Sequence, residues 1–189
     1  MLKNTVDNYG SVAKIFHWVI AILIIGMLIF GFILVNLDRA NPHREDLISL
    51  HKSIGLTILM LIIVRLFWRF INIQPALPIT TPWWERIAAK SAHFFLYLFI
   101  FVMICSGWST SSFGGHPVIF WNWLNFSLPV VKNEALSKQA FTVHWLVAWI
   151  LVTLVTLHVL GALKNHFWDK NYVLRRMLPG YKPPSIFRK

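Results

Sequence analysis

Five histidines of this chain sit inside apolar stretches: His17, His51, His93, His144 and His158. An ionisable side chain in such a stretch is costly to bury and marks a functional site by default. His144 and His158 lie 14 residues apart in one uncharged run. On a helix that spacing falls about 40° short of four turns, so both rings face the same way, roughly 21 Å apart along the axis. One zinc ion cannot be held by ligands so far apart. Two sites stacked across a membrane can each use one of them. A pair of imidazoles from facing helices is what a b-type haem takes, with iron ligated from both sides and the macrocycle lodged between helices of a bundle. Such ligation leaves no open position and suits electron transfer rather than oxygen binding. His43, His116 and His166 fall in loops or the tail, where solvation or hydrogen bonding explains them.

The elements that must carry these histidines follow from composition. Of 189 residues, 57% are hydrophobic and only 13% charged, yet the net charge is +11. A soluble domain needs roughly 25% charged residues to cover its surface. The chain therefore reads as an integral membrane protein, and a nucleic-acid binder is excluded because its charge would need a polar surface. The lone Cys105 excludes an internal disulfide framework and a four-cysteine metal site, and no C-x-x-C-H motif attaches haem covalently.

Four apolar runs are long enough to cross a bilayer as helices: 15–37, 47–71, 91–112 and 139–163. The expected fold is all-α, a single membrane domain over 1–189 forming a four-helix bundle with both termini on one side. A shorter apolar stretch, Trp121 to Val131, lies between Pro117 and Pro129 in the third loop. It predicts an interfacial helix or re-entrant turn anchored by Trp121 and Trp123. Sorting charge by side leaves +10 with the termini and +1 opposite. The positive-inside rule then places both termini in the cytoplasm. The basic tail needs no partner beyond topology and anionic lipid.

Depth along the spans puts His17, His93 and His158 near the cytoplasmic end and His51 and His144 near the opposite end. Spacing alone leaves open whether His17 or His93 partners His158. Gly55 and Gly161 share helix faces with His51 and His158, which suits either close approach of a flat ring or ordinary helix packing. Haem propionates need cations. Arg65 and Arg69 suit the inner site, and Lys52, with Arg44 or Lys138, suits the outer one. Snorkelling and topology explain each of these cations equally well.

Taken in order, the motifs Ile15-Phe16-His17-Trp18, Leu50-His51-Lys52-Ser53-Ile54-Gly55 and His93-Phe94-Phe95-Leu96-Tyr97 are recognisable. With the His144/His158 pair, His166-Phe167-Trp168-Asp169-Lys170 and Arg175-Arg176-Met177-Leu178-Pro179, the chain resembles the prokaryotic cytochrome b561 family over nearly its whole length. The resemblance implies a dihaem b-type cytochrome of the bacterial inner membrane. It implies that His17 and His158 ligate the cytoplasmic-side haem iron and His51 and His144 the periplasmic-side one, leaving His93 a non-ligand. It further implies electron exchange with ubiquinone or another membrane quinone and, for some members, oxidation of superoxide at the periplasmic side. The chain is then a quinone-linked oxidoreductase. The competing role is a membrane-anchoring cytochrome b subunit of a respiratory dehydrogenase or hydrogenase. A proton-coupled transporter is disfavoured, because the spans hold no acidic residue for a relay.

Overall fold

Punctuation by Pro, Gly and Asn divides the chain into helices. In the computed structural model, which describes residues 1–181, α1 spans Ser11–Asn36, α2 Arg44–Phe70, α3 Trp83–Phe113 and α4 Glu134–Phe167. All four are long and apolar enough to cross a membrane. They match the expected runs, α1 and α2 stopping one residue short at Leu37 and Ile71, and all four begin several residues earlier. Asn133 caps α4, its side chain accepting from the Leu136 N–H, and α3 begins after Pro82 and stops at Gly114. A short α5, Val173–Met177, follows α4. His166 therefore lies in the last turn of α4, not in a free tail. Lys182, Arg188 and Lys189 of the basic tail lie outside the described residues.

The helices form two hairpins. α1 packs on α2 and α3 on α4, while the two hairpins approach each other less closely than the helices within each. On α1, Ile22, Ile25, Ile29 and Ile33 recur at helical spacing and stay exposed, as a lipid-facing stripe does. The opposite face feeds a small core of Ile20, Ile58, Ile62, Ile100, Val147 and Leu151, contributed by all four helices. We call the end that holds the N-terminal segment and α5 inner and the other outer.

The third loop departs from expectation. In place of an interfacial helix, Ile119–Phe120 (β1) and Leu124–Asn125 (β2) pair antiparallel. Trp121 and Asn122 take positive φ at the turn between them. That conformation is costly for a non-glycine residue and persists only where the surroundings hold it. Here Trp121 N donates to Ser53 Oγ at 3.1 Å and Trp121 Nε1 to Thr57 Oγ1 at 3.2 Å, which pins the hairpin on α2. Apolar content suggested an interfacial helix or a re-entrant turn; strand pairing and the α2 hydroxyls give a hairpin, with Trp121 among its anchors. Ser53 is 3% exposed. Ser53→Ala is expected to leave the Trp121 N–H unpaired, cost about 1–3 kcal/mol, and speed proteolysis within residues 114–133 while the helices stay intact.

Termini close the inner end. Asn4 Nδ2 donates to Ile73 O, Lys14 Nζ to Leu178 O, Trp18 Nε1 to Met177 O and Arg176 to Ala76 O, at 2.8–3.1 Å. A Cβ at Gly10 would collide with the Leu2 and Lys3 carbonyl groups, so the tight turn into α1 requires glycine.

Candidate functional site

The histidines of the spans gather into two groups, each joining one hairpin to the other. His17 on α1 faces His158 on α4 with ring centroids 6.2 Å apart and planes inclined 62°. His51 on α2 faces His144 on α4 at 6.3 Å and 70°. Both pairs are half-buried. A metal–imidazole bond of about 2.0 Å, with the ring centroid about 1.1 Å behind the nitrogen, sets two opposed ligands about 6.2 Å apart between centroids. Both pairs have that spacing, so the residues fit a bis-histidine haem. His93 also meets His158, but at 5.2 Å, about an ångström too close for opposed ligation. Its Nδ1 lies 2.7 Å from Ala89 O in its own helix, a contact that orients the ring along α3.

Neighbouring groups set each ring. His144 Nδ1 lies 2.8 Å from Met103 O and 3.3 Å from Ser106 Oγ. Donation from Nδ1–H to that carbonyl leaves Nε2 with its lone pair free, the arrangement a metal-ligating histidine uses. The ring packs closely against α3 because residue 107 is glycine: a Cβ there would stand 2.8 Å from His144 Cε1 and 3.0 Å from Nδ1. His51 packs on Phe30 and beside Gly31, and its buried Nδ1 has no partner among the described residues. At the inner pair, Arg65 donates to His17 Nδ1 at 3.1 Å.

The proposed cations separate on inspection. Arg65 and Arg69 line one cavity at the inner end. Lys52 turns outward and donates to Pro117 O at 3.0 Å, tying α2 to the third loop. Lys138 lines an outer cleft of about 240 Å³ with His116, Lys132, Glu134 and Ser137. Arg44 stands in the first turn of α2.

Sequence reasoning missed Gly107. Gly55 and Gly161 share faces with histidines and leave open space there: a Cβ at Gly55 would meet only Met27, at 4.0 Å, and one at Gly161 nothing within 4 Å. The decisive glycine lies on a different helix from the ring it accommodates, and no single-helix spacing marks it.

Comparison with known proteins identifies the family. A family model described as prokaryotic cytochrome b561 matches residues 8–180. Cytochrome b561 homolog 2 of Escherichia coli (strain K12) is 35% identical over 176 residues, covering 93% of each chain. Cytochrome b561 homolog 1 of the same organism is 25% identical over 182 residues, covering 93% of this chain and 99% of that one. With four membrane-length helices and histidine pairs bridging two hairpins, the chain belongs to the prokaryotic cytochrome b561 family, multi-pass membrane cytochromes that carry electrons on haem b.

Proposed function

We propose that this protein holds two non-covalent b haems, the inner between His17 and His158 and the outer between His51 and His144, and passes electrons between a periplasmic-side donor and membrane quinone. The observation that carries this reading is the pair of centroid separations, 6.2 and 6.3 Å, each spanning the two hairpins. Haem iron so ligated supplies one-electron redox chemistry without an open coordination site. The chain's own residues do the rest. Met103 O and Ser106 orient His144. A His17 that ligated through Nε2 would keep its proton on Nδ1, and Arg65, which donates to that nitrogen here, would be free to hold an anionic propionate with Arg69. Lys52 keeps two N–H donors beyond the one given to Pro117 for the outer propionates. The charge bias orients the bundle in the bacterial inner membrane with both termini cytoplasmic.

Superoxide is the donor favoured by the outer face. Its net charge is small, yet His116, Lys132 and Lys138 gather in one cleft, with Glu134 3.7 Å from Lys132. Such local clustering is what steers a small anion. Two superoxide anions would each lose one electron to become oxygen, and one ubiquinone would take both electrons and two protons. Purified protein is expected to carry two b haems per chain and to reduce quinone when superoxide is supplied. Absence of haem would sink the assignment. Copurification of a stoichiometric soluble partner, without superoxide-dependent activity, would instead mark an anchoring subunit.

A further inference from the structure

Below the His17–His158 pair lies a cavity lined by Tyr9, Arg65, Trp68, Arg69, Tyr97 and Met177. Its polar lining is rich in donors. Arg65 and Arg69 form no ion pair with a carboxylate among the described residues; Glu85 and Asp169 at this end are both taken by Lys164. Trp68 Nε1 and Tyr97 Oη are buried and have no hydrogen-bond partner among the described residues. Two buried neutral donors left unpaired beside two guanidinium groups cost free energy unless an acceptor enters. Arg65 also lies over the Tyr97 ring, 5.7 Å from its centroid, and touches His17, so the cavity adjoins the inner histidine pair. Burial raises the Tyr9 hydroxyl above its ordinary range, against the pull of Arg69 and Arg176, and keeps it a donor. The N-terminal segment and α5 cover the cytoplasmic side through the bonds of Asn4, Lys14, Trp18 and Arg176. An acceptor therefore arrives from inside the bundle.

The geometry points to an oxyanion cradle in which Tyr97 Oη and Trp68 Nε1, beside Arg65 and Arg69, bind a propionate carboxylate of the inner haem. This rests on the proposed inner haem and assigns two residues to it. A phospholipid phosphate has the same oxyanion chemistry and is the other source to separate. A donor to the propionate disperses negative charge; without it the full charge acts on the iron and favours the oxidised state. The test is redox potentiometry on purified holoprotein carrying Tyr97→Phe, Trp68→Phe or Arg69→Gln, with haem counted and bound phosphorus measured. We expect Tyr97→Phe and Trp68→Phe each to lower the reduced-to-oxidised ratio of one haem about tenfold, about 59 mV for a one-electron couple. Arg69→Gln moves the same haem further, and the other haem stays put. Selective loss of that one haem from a variant supports the cradle equally. Unchanged potentials for both haems in Tyr97→Phe and Trp68→Phe overturn the inference while leaving the dihaem reading intact. Loss of bound phospholipid phosphorus without a shift in potential overturns it in favour of lipid. Wild-type protein without two b haems would fail the underlying reading instead.

Discussion

Alanine at His144 is expected to remove the outer haem and leave the inner one, halving the haem-to-protein ratio; alanine at His158 does the reverse. The two rings stand on one face of α4, and each pairs with a histidine of the other hairpin, His51 and His17 respectively. Changes to groups that merely orient a metal ligand cost about 10–100-fold in affinity. Deleting the ligand itself should cost more, enough to empty the site on purification. His93→Ala separates pairing from proximity. Its ring is closer to His158 than His17 is, yet the wrong distance for opposed ligation, so this variant should keep both haems. Haem extraction with reduced-minus-oxidised spectra reads all three. Loss of the same haem from both His144→Ala and His158→Ala would refute the stacked arrangement.

Gly107→Ala carries the second large effect, although residue 107 touches no iron. The added methyl carbon would stand 2.8 Å from His144 Cε1, closer than carbon atoms pack. The ring cannot slide along α3 without breaking the 2.8 Å contact between Nδ1 and Met103 O. Overpacking of this kind costs about 1–3 kcal/mol, and displacing the ligand adds to it. We expect outer-haem occupancy to fall at least about tenfold, as a change to a ligand's supporting contacts does, with the inner haem retained. Gly26→Ala is the matched control. It adds a methyl group to α1 where nothing lies within 4 Å, nine residues from His17 and so about half a turn off its face. Equal haem loss from both variants would show general disruption of the bundle and sink the specific role of Gly107.

Much of this was legible in the sequence. Apolar runs of membrane length located all four helices, because hydropathy acts residue by residue and needs no partner. The same-face spacing of His144 and His158 foretold two groups at two depths. What stayed hidden depends on relations between elements. Depth and spacing do not distinguish His17 from His93 beside His158; the family resemblance favours His17, and the ring separations, 6.2 against 5.2 Å, depend on packing. Gly107 matters through a ring on α4. Apolar character at 121–131 could not reveal a β-hairpin fastened by Ser53 and Thr57, which belong to a helix some 65 residues earlier. Nor do the sequence positions of Asn4, Lys14 and Trp18 indicate carbonyl partners as distant as Ile73, Met177 and Leu178.

Between the two histidine pairs lies a buried aliphatic layer of Ile20, Ile58, Ile62, Ile100, Val147 and Leu151. None of these side chains can bind a proton or hold a water. On the proposed reading, charge crosses this layer as a tunnelling electron with no proton beside it, so the crossing is electrogenic. In the proposed orientation the electron moves toward the negative side of an energised membrane. A full crossing against 100 mV costs about 2.3 kcal/mol. The pairs are roughly 21 Å apart in a core of about 30 Å, so about two-thirds of that opposes each transfer. Six aliphatic side chains thereby make the rate responsive to voltage: turnover in sealed vesicles should rise when an ionophore collapses the potential.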